Sequence, residues 1–198
     1  MSKAGIAISK SPIGPFKYIK SFRPNERESR DMTLFQDFDD SAYLVNSIDG
    51  NSNMSISRLN DDYTELSGET KLIFIGQYRE APAMFVHENK YYIITSGCSG
   101  WNPNSMLFGI SDSVMGNWKL VENPCVGANY RKTFGGQSAC IFKFGKHIML
   151  LMDHWKTEDL RMSGYSILHV NIEQDTITIP WDENLIIESP PHPSEISL

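Results

Sequence analysis

The feature that most constrains this chain is a repeat that recurs in two registers. In the first, three segments start on a polar residue and run into an apolar strand: Asp31-Met-Thr-Leu-Phe35, Glu80-Ala-Pro-Ala-Met-Phe85 and Gln137-Ser-Ala-Cys-Ile-Phe142. Each is followed by a polar turn and a second apolar strand, at Ala42 to Ser47, Tyr91 to Ser96 and His147 to Met152. In the second register, Ala7-Ile8-Ser9-Lys10-Ser11 with Gly14, Phe16 and Lys17 matches Gly109-Ile110-Ser111-Asp112-Ser113 with Gly116, Trp118 and Lys119. Ser55-Ile56-Ser57-Arg58 is a looser copy between them. The Phe anchors at 35, 85 and 142 are 50 and 57 residues apart, and the Ile anchors at 8, 56 and 110 are 48 and 54 apart. Two registers with one period near 50 residues, built from short apolar runs rich in β-branched and aromatic residues, predict an all-β fold of the β-propeller kind. Propeller units are four-stranded and their innermost strands meet around one axis. Asp31, Glu80 and Gln137 then head successive inner strands and converge.

The unit count is incomplete. Three full units, 31–75, 80–122 and 137–181, follow a strand pair within 1–20 that matches only the outer half of a unit. Together they make about three and a half blades over residues 1–188, with 189–198 as an extended tail. Closed propellers have about four to eight blades. An open array exposes strand edges, which favours self-association or an added partner strand.

Composition narrows the function. The formal charge is −6 with no long basic run, which argues against nucleic acid as a partner. No apolar stretch approaches the ~20 residues of a membrane helix, and the start Met-Ser-Lys-Ala-Gly-Ile lacks the features of a signal peptide. Cys98, Cys125 and Cys140 are odd in number and lack metal spacing, so they fix neither a metal nor a redox compartment.

Glu80 heads its strand in Tyr78-Arg79-Glu80-Ala81-Pro82. It reads as a general acid with a raised pKa, or as a surface Glu paired with Arg79. Asp31 reads as a second carboxylate that tunes that acid, or as a turn Asp bonded to local amides. Gln137 follows Gly135 and Gly136 and reads as an amide that positions water or a sugar hydroxyl, or as a bond to the neighbouring unit. The loop Ser96-Gly-Cys-Ser-Gly-Trp101-Asn102-Pro-Asn104 offers an aromatic beside amides. Trp101, Asn102 and Asn104 read as sugar contacts, with a buried Trp101 closing the loop as the alternative. Arg79 and His154 complete the candidate binding set, His154 reading equally as structural.

Taken together, Ser29-Arg-Asp-Met-Thr33, Arg79-Glu-Ala-Pro-Ala83, Thr95 to Asn104 and Gly136-Gln-Ser138 resemble glycoside hydrolase family 43, in its exo-β-1,3-galactanase-like branch. Gly5 to Phe16 is similar to that branch as well. The resemblance implies a five-bladed propeller and cleavage of glycosidic bonds with inversion. It gives Glu80 the role of general acid, Asp31 that of the residue tuning it, and Gln137 the place of an amide at the site. It implies a β-galactan-type carbohydrate substrate and no required cofactor and leaves room for a calcium or other ion on the axis; members of the family usually act outside the cytoplasm, and the location of this chain is left open. It also implies that the first blade and the inner half of the second precede the residue matching Ala4. The chain is therefore expected to be either a galactan-directed hydrolase with part of its pocket missing or a non-catalytic remnant that binds sugar or a partner.

Overall fold

In a computed structural model, residues 2–183 and 185 are described; the expected tail at 189–198 lies outside them. The fold is all-β. Strands β1 (Ala4–Ile8) and β2 (Lys17–Phe22) form an antiparallel pair. Next come β3 (Met32–Gln36), β4 (Ala42–Ile48), β5 (Asn53–Leu59) and β6 (Leu66–Ile73), which make one four-stranded antiparallel sheet in sequence order. A second such sheet holds β7 (Arg79–His87), β8 (Lys90–Gly97), β9 (Leu107–Ser111) and β10 (Lys119–Val121). After the short β11 (Cys125–Val126), a third sheet is built from β12 (Gln137–Phe144), β13 (His147–His154) and β14 (Gly164–His169). Among the described residues the helical elements are three short 3-10 turns, at Pro24–Glu26, Tyr130–Gly135 and Leu160–Met162.

The expected strands are present, with one rearrangement in the third unit. Its outer segment does not add a fourth strand to β12–β13–β14. The chain breaks at Val170, whose N–H bonds Ile148 O at 2.9 Å. Strands β15 (Asn171–Glu173) and β16 (Thr176–Pro180) then form their own hairpin. β16 takes up β11 as a parallel partner, with Cys125 opposite Ile179. That pairing joins residues far apart in sequence, and no local pattern announces it.

The second sheet is sandwiched. Along β8, Tyr92 and Ile94 pack with Phe85, Phe108, Leu150, Met152 and Leu168 toward the third sheet. Ile93, between them, packs with Val45, Ile56, Met84 and Val86 toward the first. Alternate side chains leave opposite faces of a strand, so a strand covered on both faces reads as a continuous apolar run. That is why Tyr91-Tyr-Ile-Ile94 lacks the polar alternation of a half-exposed strand. The outward faces of the array differ: Leu34 of β3 is 68 % exposed and Tyr165 of β14 is 75 % exposed. Among the described residues no helix is long and apolar enough to cross a membrane.

Candidate active site

Strand β7 runs between β3 and β12, and hydroxyls tie it to β4 and β12. Ser47 Oγ donates to Arg79 O at 3.1 Å, and Ser138 Oγ donates to Ala81 O at 2.7 Å. The heads of the three inner strands are thereby held close. Asp31, Glu80 and Gln137 come together as the repeat requires.

Glu80 is half-buried at a β-bulge. It faces Ser96 on β8, and regular pairing resumes only at Ala83 opposite Ile94. Ala81 takes φ 50°, a left-handed conformation a β-carbon disfavours. A bulge bends the strand and re-aims the side chain beside it, and Asp31 pins this one: its carboxylate accepts the Ala81 N–H at 3.2 Å. The Glu80 carboxyl accepts from Asn51 Nδ2 at 2.8 Å on one oxygen and from Gln137 Nε2 at 3.3 Å on the other. Its pKa is raised above the ordinary carboxylate value, first by burial and second by the negative charge of Asp31. Contacts with Cys98, Gln137 and Arg79 oppose that rise.

Gln137 sits before a second bulge, on β12, between Ser138 and Cys140. Its Nε2 also donates to Ser96 Oγ at 2.7 Å. The Gly136 before it is forced: a Cβ there would lie 2.9 Å from Asp153 O and 3.0 Å from His154 Cε1. Gln137 thus bonds the neighbouring sheet, the second of its sequence readings, and it does so partly through the acid itself.

The flanking loop carries the aromatic surface. Trp101 is 59 % exposed, which removes the reading of a buried, loop-closing Trp. It meets Trp155 edge-to-face at 5.1 Å between ring centres. These indoles, with Asn102, Gly136 and Gln137, line one cleft. A second cleft is lined by Asp31, Ala81, Gln137, Asp153 and Trp155, sharing Gln137 and Trp155 with the first.

Three candidate binding residues are engaged by bonds and contacts within the scaffold, Asn104 while also lining the first cleft. Arg79 is 7 % exposed and turned inward. Its guanidinium donates to Thr95 Oγ1 at 3.0 Å, Thr95 O at 2.9 Å and Ser105 O at 3.1 Å. Burial pulls its pKa down to about 10. The reading of Glu80 as half of a surface pair with Arg79 fails with it. Asn104 staples the loop: its amide bonds Gly97 N and O at 2.7 Å each and Ser99 Oγ at 2.6 Å. His154 leaves the strand on the face opposite its neighbour Asp153. It lies 2.8 Å from Ser166 Oγ and against Trp181, and burial lowers its pKa.

Sequence reasoning missed Asn51, Ser96, Cys98 and Trp155. Asn51 sits on the β4–β5 turn of the neighbouring sheet and Ser96 at the end of β8, so no motif spans them with Glu80. Trp155 follows Asp153-His154 and was legible only as a neighbour of those residues. Among the described residues no group of three or more His, Cys, Asp or Glu side chains is arranged to hold a metal ion.

A half-buried acid with a second carboxylate and an amide beside it, next to exposed indoles, suits proton donation to a sugar's bridging oxygen. The sequence profile of Glycosyl hydrolases family 43 matches residues 1–146. The chain belongs to glycosyl hydrolase family 43. Three solved structures are similar to it. A family 43 β-1,3-galactosidase is 35% identical with a TM-score of 0.88, covering 91% of this chain and 39% of its own. A second family 43 β-1,3-galactosidase, solved with galactodeoxynojirimycin, is 32% identical with a TM-score of 0.89, covering 94% and 68%. The exo-β-1,3-galactanase of Phanerochaete chrysosporium, solved with β-1,3-galactotriose, is 30% identical with a TM-score of 0.84, covering 90% and 42%. The chain thus spans less than half the length of two of these proteins. No curated protein matches the sequence.

Proposed function

We propose that this family 43 chain is the acid-bearing part of a glycoside hydrolase that cleaves β-1,3-linked galactose with inversion. The observation that carries the reading is Glu80: a carboxyl with raised proton affinity, held by Asn51 and Gln137 and flanked by Asp31. Protonated Glu80 gives its proton to the glycosidic oxygen as the C1–O bond breaks, and water adds to C1 from the opposite face. Asp31 fixes the bulge that aims Glu80 and keeps its proton affinity high. Gln137 sits too close to the acid for a sugar to fit between them, since inverting groups stand about 6.5–9.5 Å apart. Its contact at 3.3 Å therefore opens as substrate enters. With its Nε2 held by Ser96, its carbonyl oxygen is the atom that orients water and takes that water's proton as it adds to C1, an Nε2 proton leaving to solvent so that the amide ends as its imidic acid form. Exposed Trp101 and Trp155 offer rings for sugar stacking, and Asn102 a rim amide.

The three sheets and the β1–β2 pair fit about three and a half blades of a five-bladed propeller, with units near 1–20, 31–75, 80–122 and 137–181. On this reading the site's remaining wall comes from polypeptide that the longer relatives contain. A second reading, a non-catalytic chain that binds galactan-type sugar, is favoured by one observation: the exposed, paired rings of Trp101 and Trp155 offer a stacking surface whether or not Glu80 acts.

The deciding assay is release of galactose from β-1,3-galacto-oligosaccharides by wild type and Glu80→Gln. Loss of a general acid is expected to cost on the order of 10²- to 10⁴-fold. Equal rates would remove Glu80 from the acid role, and an inactive wild type that still binds the oligosaccharide would favour the second reading.

A further inference from the structure

Asn51 stands in the β4–β5 turn of the first sheet, whereas Glu80 belongs to the second. The turn is fastened from several sides. Arg27 reaches Asp49 at 2.8 Å, the Glu28 carboxylate accepts the Gly50 N–H, and Asn53 Nδ2 donates to Asp49 at 2.8 Å. Asn51 itself takes φ 65°, a left-handed conformation that Asn tolerates better than most residues. This conformation delivers its side chain across the sheet boundary, where Nδ2 donates to Glu80 Oε2 at 2.8 Å. The other end of the same amide is the anomaly: Oδ1 is buried and has no hydrogen-bond partner among the described residues. A buried acceptor left unpaired is costly, and such atoms in folded proteins call for a reason.

The chemistry of Glu80 supplies one. A general acid alternates between a carboxylate, which only accepts hydrogen bonds, and a carboxylic acid, which also donates one. An amide carries a donor and an acceptor at the two ends of one planar group, so a half-turn about its last torsion exchanges them. We propose that Asn51 is a positioning residue for Glu80, its amide donating through Nδ2 to the carboxylate and, after a half-turn, accepting through Oδ1 from the protonated acid. Oδ1 is then the atom kept for the other half of the cycle. The arrangement holds Glu80 in one orientation whichever proton state it is in. Because a bond to the charged form is the stronger of the two, Asn51 also lowers the proton affinity that burial and Asp31 raise.

The inference rests on Glu80 acting as the acid, yet its test does not require turnover. The titration of Glu80 is followed by carbon NMR of carboxyl-labelled protein, in wild type and in Asn51→Gly. Gly keeps the left-handed turn and deletes the amide. The Glu80 midpoint is expected to rise by ~0.5–1 pH unit in Asn51→Gly. The side-chain NH2 signals of Asn51 in the wild type are expected to move with the Glu80 midpoint. Asn51→Asp, close to Asn in shape but unable to donate when ionised, is expected to raise the midpoint further. An unchanged Glu80 midpoint in both variants, or Asn51 NH2 signals that stay put through the titration, would overturn the proposal. On β-1,3-galacto-oligosaccharides the basic limb of kcat/KM is expected to move with the same midpoint. A wild type without turnover would count against the hydrolase reading and leave the titration to decide on Asn51.

Discussion

Glu80 shows how much of a residue's chemistry lies in its neighbours. Its pKa is raised first by burial and second by Asp31. Asp31→Asn removes the second contribution, so the Glu80 proton affinity falls. The sign follows: a general acid works while protonated, so the basic limb of the kcat/KM profile is expected to move to lower pH in Asp31→Asn. A limb that stays in place would show that Asp31 acts through the bulge alone. The trio Asp31, Glu80 and Gln137 was legible in the sequence because the repeat puts each at the head of an inner strand. Asn51 was not, because it reaches Glu80 from another sheet, through a turn conformation and not a spacing. Arg79 misled for a related reason. A charged residue beside a candidate acid reads as a site residue, but the strand's alternation sends its side chain inward to Thr95 and Ser105.

At the scale of elements, the bulges at Glu80 and Gln137 and the packing between sheets decide what the site can be. Gly109 on β9 marks that packing. A Cβ there would lie 2.3 Å from the Phe74 ring of the first sheet's edge and 3.3 Å from Trp118. Those rings themselves meet edge-to-face at 6.4 Å. Gly109→Ala is expected to destabilise the fold by about 1–3 kcal/mol, since an overpacked interface must push one ring aside. Urea unfolding checks this, and an unchanged midpoint would mean the rings move freely. In the sequence Gly109 was visible as part of a repeat whose other copy has Ala7 at the equivalent place. The repeat therefore located the position, and only the neighbouring sheet explains why it is Gly. The same limit applies to β11 and β16, whose parallel pairing no local periodicity encodes.

Across the whole molecule, the central sheet is covered on both faces, while the outer faces of the array carry Leu34, Tyr165 and Ile167 in the open. Apolar sheet faces and strand edges of that kind invite a partner. We expect this chain on its own to self-associate, with light scattering showing a mass that rises with concentration; a monomer at high concentration would count against it. The sequence by itself determined the all-β class, the period near 50 residues and the three strand heads, because strand alternation and repeat phase are local and written along the chain. Tertiary structure alone decided which side chains reach the acid, that Asn51 holds it, that Arg79, Asn104 and His154 serve the scaffold, and that Trp101 meets Trp155. The physical reason is that a side chain's work depends on what the fold brings against it, and around Glu80 those contacts join residues 29 and 57 positions apart.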